Sequence, residues 1–148
     1  MREEAAFVCD ARSAGVARSW VNTVLDGWAV PAVDELAVLL VSEVVTNALL
    51  HAQTDVRLVL DLREDDRLVV EAWDTGVGRP EMQRPRPWDE SGRGLCLVDE
   101  LATRWGWTFA HGAKCVWFEV RTGTPDPGAA ATGAARRGAL IDQQAVRG

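Results

Sequence analysis

The sequence predicts an α+β fold, a two-layer sandwich with helices on one face of a mixed, mostly antiparallel sheet. Two observations lead to this class. Two helical patterns are followed by two strand patterns, and a later helix is followed by two more strands. The strict β-α-β alternation of a Rossmann fold is missing from this order. A chain of 148 residues is long enough to bury the core of one domain.

Helical spacing of apolar residues marks three segments. The first pattern covers residues 13–28 and ends before Pro31, and the second begins near Asp34 and continues through His51. A third, shorter pattern covers residues 95–103. These three segments are predicted to form the helical layer.

Four segments with strand patterns make up the predicted sheet. Residues 56–62 and 67–73 form a predicted hairpin across the polar turn 64–66. Residues 105–109 and 114–121 form a second hairpin, joined by the turn 111–113. The folded domain is therefore expected to span residues 1–121.

Two segments show neither the helical nor the strand period of apolar residues. Residues 75–94 contain four glycines and three prolines, and a loop of this length inside a domain usually carries function or is disordered. Residues 122–148 are rich in Gly, Ala, Pro and Arg and are predicted to be a mostly disordered tail.

Charge and composition narrow the classes of partner. The net charge of −6 argues against a nucleic-acid partner, because phosphate binding needs a positive face. No apolar run approaches the roughly 20 residues that cross a bilayer, and no secretory signal begins the chain. The three cysteines have no metal-ligand spacing. We therefore expect a cytoplasmic protein that binds neither a membrane nor nucleic acid directly.

The first motif that suggests chemistry is a polar row on the second predicted helix. Glu43, Asn47 and His51 are spaced i, i+4 and i+8 along an otherwise apolar helix. Glu43 is suited to accept a proton and Asn47 to ligate Mg²⁺, whereas a solvated stripe with an i,i+4 hydrogen bond is the alternative. His51 is interpreted as a polar residue at a helix end, because no second His or Cys stands at ligand spacing.

The second motif, Asp74-x-Gly76-x-Gly78, ends a predicted strand. A carboxylate there can accept a hydrogen bond from an exocyclic amino group such as that of adenine. The two glycines let the backbone turn sharply and approach a flat ring. Taken singly, a plain turn is the favoured interpretation, because Asp and Gly are common turn residues.

The third motif is Gly92-Arg93-Gly94-Leu95, which enters the third predicted helix. Free backbone N–H groups and the helix dipole bind phosphate at such a position. A simple glycine-rich helix entry is the alternative. The sequence has neither the Walker A motif nor the dinucleotide fingerprint.

In this order and spacing the three motifs resemble the GHKL superfamily of ATP-binding domains, the Bergerat fold. The resemblance covers roughly residues 10–121. Within that superfamily, the Glu43-x-x-x-Asn47 helix and the following His51-Ala52 are most similar to the small anti-sigma-factor serine/threonine protein kinases of the SpoIIAB and RsbW type.

The resemblance implies ATP and Mg²⁺ as cofactors. It implies Glu43 as general base, Asn47 as the Mg²⁺ ligand, and Asp74 as the residue that binds the adenine amino group. It further implies residues 79–91 as a lid over the phosphates. The implied nucleotide-binding residues are Asn47, Asp74, Gly76, Gly78, Gly92, Arg93, Gly94 and Leu95.

Two further positions follow from the same comparison. Arg18 stands where these kinases have an arginine near the partner and phosphate face, with a solvated residue on the first helix as the alternative. The last strand carries Cys115 where these kinases tend to have small hydroxyl residues beside the adenine, which makes Cys115 a candidate neighbour of the base.

The function implied is an Mg²⁺-ATP-dependent kinase that phosphorylates an anti-sigma factor antagonist, a STAS-like protein, on serine and binds a sigma factor. The alternative is a non-catalytic, nucleotide-dependent switch that binds a partner. A detached histidine-kinase catalytic domain is less favoured, because the chain has no helix pair with a phosphoacceptor histidine. Homodimerisation, common among such kinases, stays open.

Overall fold

Five strands and three α-helices form the parts of the chain that the structure, a computed structural model, describes: residues 1–30, 34–76 and 94–122. A π-helical turn, Ala48–Ala52, continues the second helix. In chain order the elements are β1 (Arg2–Phe7), α1 (Ser13–Gly27), α2 (Asp34–Asn47), β2 (Val56–Leu62), β3 (Arg67–Asp74), α3 (Gly94–Leu101), β4 (Arg104–Ala110) and β5 (Ala113–Arg121).

The five strands form one sheet in the order β1-β2-β3-β5-β4. Each neighbouring pair of these strands is antiparallel. The last strand, β5, lies between β3 and β4, so the chain leaves β3, passes through α3 and reaches the sheet edge before it returns to the centre. The predicted α+β class is confirmed.

The core lies between the helices and one face of the sheet. Successive strand residues point to opposite faces, and the core includes Leu58 of β2, Val70 of β3 and Phe118 of β5. Val21 of α1 and Leu40 of α2 belong to the same apolar cluster, and all five side chains are fully buried. Each contributes about 1.5–3 kcal/mol of burial energy, so this face holds the two layers together.

The predicted element order is incomplete at its start, because it begins at the first helix and lacks β1. The segment Arg2–Phe7 contains no β-branched residue, and most of its side chains are exposed. Its strand conformation depends on antiparallel pairing with β2, in which Phe7 faces Val56. Local residue preference gives little indication of an edge strand of this kind.

The predicted turn between the last two strands is present but is one residue shorter than the predicted 111–113, because Ala113 already belongs to β5. His111 and Gly112 connect β4 and β5 with φ angles of 53° and 75°. Positive φ at both central residues is the geometry of a type I′ hairpin turn, which matches the twist of the strands it joins.

Several expectations concern residues that the structure does not describe. Most of the long glycine-containing loop, residues 77–93, and nearly all of the predicted tail, residues 123–148, lie outside the described residues.

In the described part of the chain, no helix has the length and apolar character that a membrane crossing requires.

The end of β3 packs directly against the end of the π-helical turn. A Cβ atom placed on Gly76 would lie 2.5 Å from the Cβ of Ala52 and 2.9 Å from Oδ1 of Asp74. The backbone N–H of Thr75 also donates a hydrogen bond of 3.3 Å to Oγ1 of Thr54. Only glycine fits at position 76 without displacing the helical layer.

We expect Gly76→Ala to lower the free energy of unfolding by about 1–3 kcal/mol, because the added methyl group overpacks against Ala52. Gly27→Ala is the matched control, since a Cβ there meets no heavy atom within 4 Å. The control should leave stability unchanged or raise it by up to about 1 kcal/mol, the helix preference of Ala over Gly. Urea unfolding followed by circular dichroism measures both.

A double variant tests the cause of that loss. If the contact with Ala52 is responsible, Gly76→Ala combined with Ala52→Gly recovers part of the stability that the two single changes lose when summed. Strict additivity of the two single losses would contradict this account of the junction.

Candidate functional site

Two polar side chains stand on the last turns of α2. Glu43 and Asn47 are both half-buried. They lie one helical turn apart, about 6 Å along the axis. Their neighbours Val44 and Val45 are buried in the core. The pair therefore lies at the boundary of the helical layer, anchored by apolar residues on the same helix.

The helix widens immediately after Asn47. The π-helical turn ends at Gln53, whose φ of 54° is left-handed and whose N–H donates a 3.1 Å hydrogen bond to the carbonyl of Ala48. A π-turn inside a helix is uncommon and is frequently found at functional sites. The predicted row through His51 assumed an unbroken α-helical period, which the π-turn interrupts; the side chain of His51 lies outside the described residues.

Asp74, the last residue of β3, has a buried carboxylate. Its side chain is only 3% exposed. Oδ1 accepts a 2.8 Å hydrogen bond from the backbone N–H of Gly76 and lies 3.5 Å from Nζ of Lys114. The carboxylate is thus fixed by a backbone N–H just beyond its own strand and by a cation on the neighbouring strand.

Lys114 is a residue of this site that none of the three sequence motifs contains. It pairs with Asp74 in the register between β3 and β5, and its side chain is 4% exposed. Lysine is rarely buried to this extent without a partner. Lys114 is the one lysine among the 16 Lys and Arg residues of the chain. That single occurrence is the feature of the sequence that could have pointed to this residue.

Cys115, the predicted neighbour of the base, lies on the other face of the sheet. It stands opposite Trp73 of β3 and outside the apolar cluster that packs on the helices. Burial raises the pKa of its thiol well above the ordinary value, and the nearby charge of Glu71 raises it further. On the side of Asp74, β5 therefore presents Lys114 and not Cys115.

The start of α3 lies where the third motif predicts a helix entry. The helix begins at Gly94, packs against α2 and buries Val98. The side chain of Leu95, all of Gly78, Gly92 and Arg93, and the predicted lid, residues 79–91, lie outside the described residues.

Arg18 connects α1 to the polar end of α2. Its Nη1 donates a 2.8 Å hydrogen bond to Oγ of Ser42, the residue before Glu43. The contact is exposed, and exposed hydrogen bonds of this kind add little stability. The structure thus gives Arg18 a helix-to-helix contact next to the candidate base.

The side chain of Asn47 on α2 suits a hard cation in type. Its amide oxygen is a hard oxygen donor, and Mg²⁺ is usually bound by one or two protein oxygens together with substrate phosphates. Within residues 1–30, 34–76 and 94–122, no group of three or more His, Cys, Asp and Glu side chains that could hold a metal is found.

Comparisons with known proteins bear on this arrangement. The family model described as "Histidine kinase-like ATPase domain" matches residues 7–120. Among solved structures, the chain is similar to the RsbU and RsbW domains of Rv1364c from Mycobacterium tuberculosis, with a TM-score of 0.63 and 15% sequence identity. That alignment covers 82% of this chain and 32% of the other, so this chain matches about a third of the solved chain. No curated protein compared with the chain matches it.

At 15% identity the structural likeness shows the fold. The family match extends from the end of β1 to the end of β5 and includes every described element of the candidate site. The resemblance drawn from the three motifs is confirmed at this level. This chain belongs to the family of histidine kinase-like ATPase domains.

Proposed function

We propose that this chain binds ATP with Mg²⁺ where the ends of β3 and α2 meet, and that it phosphorylates an anti-sigma factor antagonist on serine. The observation that carries the proposal is the buried carboxylate of Asp74, held by the N–H of Gly76. Gly76 abuts Ala52, at the end of the helical segment that bears Glu43 and Asn47. Family membership supports the nucleotide, and the likeness to a structure with an RsbW domain supports the regulatory role.

Asp74 and the glycines after it form the base end of the proposed site. With Oδ1 held by the N–H of Gly76 and near Lys114, Oδ2 of Asp74 accepts the hydrogen bond from the adenine amino group. Gly76 and, by proposal, Gly78 have no side chain, so a planar ring can lie close to the backbone at these positions.

Asn47 and the start of α3 form the phosphate end. The amide oxygen of Asn47 is the proposed ligand of Mg²⁺, and the ion, when bound, neutralises the charge of the phosphate oxygens. The backbone N–H groups of residues 92–95 at the helix N-terminus donate to the phosphates. Helix α3 packs against α2, which supports this division of the site.

Glu43 is the proposed general base. Its carboxylate takes the proton of the partner's serine hydroxyl as the serine oxygen forms a bond to the γ-phosphorus. The bond between the γ-phosphorus and the bridging oxygen breaks, and ADP leaves. Positioning and charge neutralisation supply most of the acceleration in such a reaction.

The proposed partners are a STAS-like antagonist, which is the substrate, and a sigma factor. Phosphorylation releases the antagonist from this chain, which then binds the sigma factor. A role of this kind belongs in the cytoplasm, and homodimerisation is compatible with it. The non-catalytic switch, which binds nucleotide and partner without transfer, is the competing outcome in the following test.

Incubation with γ-labelled ATP, Mg²⁺ and candidate antagonist proteins tests the function. We expect label on a serine of the antagonist, identified by mass spectrometry, and loss of the label when that serine is changed to alanine. Nucleotide-dependent binding of the antagonist without label would support the switch. Label on a histidine of this chain would contradict both.

Asn47→Ala should abolish binding of ATP in the presence of Mg²⁺, because the variant has no side-chain oxygen to ligate the ion. Asn47→Asp keeps an oxygen ligand at the same place and serves as the control that retains measurable binding. Isothermal titration calorimetry measures both affinities, and thermal unfolding checks that each variant is folded. Equal affinities for wild type and Asn47→Ala would remove Asn47 from this role.

Glu43→Gln should leave ATP affinity within about threefold of wild type and slow phosphoryl transfer by about 10²–10⁴-fold, the usual contribution of a general base. Glu35→Gln is the matched control, because Glu35 is an exposed glutamate on the same helix. Initial rates of antagonist phosphorylation at saturating ATP measure the effect. A full rate for Glu43→Gln would show that another group accepts the proton.

A further inference from the structure

The buried pair of Asp74 and Lys114 has more hydrogen-bonding capacity than the described residues fill. The ammonium of Lys114 carries three donors, and its one hydrogen-bonding or ion-pair partner among the described residues is Oδ1 of Asp74 at 3.5 Å. Oδ1 also accepts the N–H of Gly76, whereas Oδ2 has no donor within the part of the chain described here. Buried polar groups nearly always find partners.

A purely structural ion pair does not account for this arrangement well. Removing two charges from water costs several kcal/mol per ion, and an apolar pair of similar volume often serves a core equally well. Here the cost is incurred at the end of a strand, beside Gly76, where an added Cβ atom would lie 2.5 Å from the Cβ of Ala52. The donors of Lys114 and the acceptor of Asp74 that the described residues leave unfilled lie side by side on neighbouring strands.

We infer that Lys114 is a second base-reading residue, whose Nζ donates a hydrogen bond to a ring nitrogen of adenine next to the amino group accepted by Oδ2 of Asp74. This inference rests on the proposed function, because it concerns the same nucleotide. Adenine offers the complementary pattern: its amino group is a donor, and the ring nitrogens N1 and N7 on either side of it are acceptors.

The inference assigns Lys114 a role in specificity as well as in holding Asp74. The backbone N–H of Gly76 and the ammonium both contact Oδ1, which fixes the carboxylate and leaves Oδ2 as the acceptor. The remaining N–H groups of Lys114 then read an adjacent acceptor of the ring. A base that keeps the amino group but lacks that nitrogen satisfies Asp74 and leaves one N–H of the buried ammonium without its acceptor on the ring.

Two adenine analogues separate these contacts. Both 1-deaza-ADP and 7-deaza-ADP keep the amino group, and each replaces one ring acceptor by C–H. We expect wild type to bind one of the two at least about tenfold more weakly than ADP, because a hydrogen bond from a charged donor is lost. The analogue that is affected identifies the nitrogen that Lys114 contacts.

The Lys114→Met variant tests whether Lys114 causes the loss of affinity for the affected analogue. It should bind ADP at least about tenfold more weakly than wild type, and it should bind ADP and the affected analogue with affinities within about threefold of each other. Lys114→Arg keeps the charge and the donors and should retain part of the discrimination. Calorimetry with the full-length chain measures all affinities, and thermal unfolding verifies that each variant is folded.

A spectroscopic measurement on the wild-type chain needs no substitution. Lys114 is the only lysine, so labelling lysine with ¹³C at Cε yields a single lysine signal. ADP should shift that signal, and the affected analogue should shift it less at saturation. This readout keeps the inference testable even where Lys114→Met fails to fold.

The outcomes distinguish the two proposals. If wild type binds ADP but the penalty for each analogue is the same in wild type and Lys114→Met, or neither analogue is penalised, Lys114 only supports Asp74 and the inference is wrong. A lysine signal that stays unchanged on saturation with ADP would likewise overturn the inference. If wild type does not bind ADP at all, the proposed function fails together with it.

Discussion

The structure of the candidate site depends on one electrostatic constraint, the burial of the Asp74 carboxylate. An ionised carboxylate taken out of water loses several kcal/mol of solvation. It is kept in place by two contacts that come from different parts of the chain: the N–H of Gly76, two residues beyond Asp74, and the ammonium of Lys114 on β5. Removing either contact would leave the lost solvation of the buried carboxylate less well compensated.

The order of the strands supplies the second of these contacts. Because β5 lies between β3 and β4, the strand that ends the described fold runs beside the strand that carries Asp74. The helices pack on the core face of this sheet, and the contact between Gly76 and Ala52 brings the end of β3 to the end of the widened helix. The base end of the proposed site is therefore part of the joint between the two layers.

Much of this architecture follows from the sequence by a simple route, because the periods of apolar residues report which face is buried. The alternation in Val56–Leu62 and the helical spacing in α1 predict elements that the structure contains. The spacing of Glu43 and Asn47 likewise predicts neighbours on one helix. The edge strand β1 cannot be predicted in this way, because its exposed residues show no period of apolar residues and it pairs with a distant segment.

The parts of the site that the sequence did not indicate have long-range causes. Lys114 meets Asp74, which lies 40 positions earlier in the sequence, through the register between β3 and β5, and no local pattern encodes that register. The π-turn after Asn47 interrupts a helical period that continues smoothly in the apolar residues. For Gly78, Gly92 and Arg93, the assigned roles stay predictions, because these residues lie outside the described part of the chain.

A titration of the wild-type chain with ATP and Mg²⁺ by isothermal calorimetry, paired with its thermal unfolding, addresses the central claim directly. We expect one saturable site per chain and a melting temperature that rises with nucleotide concentration, since a ligand that binds only the folded state stabilises it. No binding heat and an unchanged melting temperature at millimolar nucleotide would contradict it.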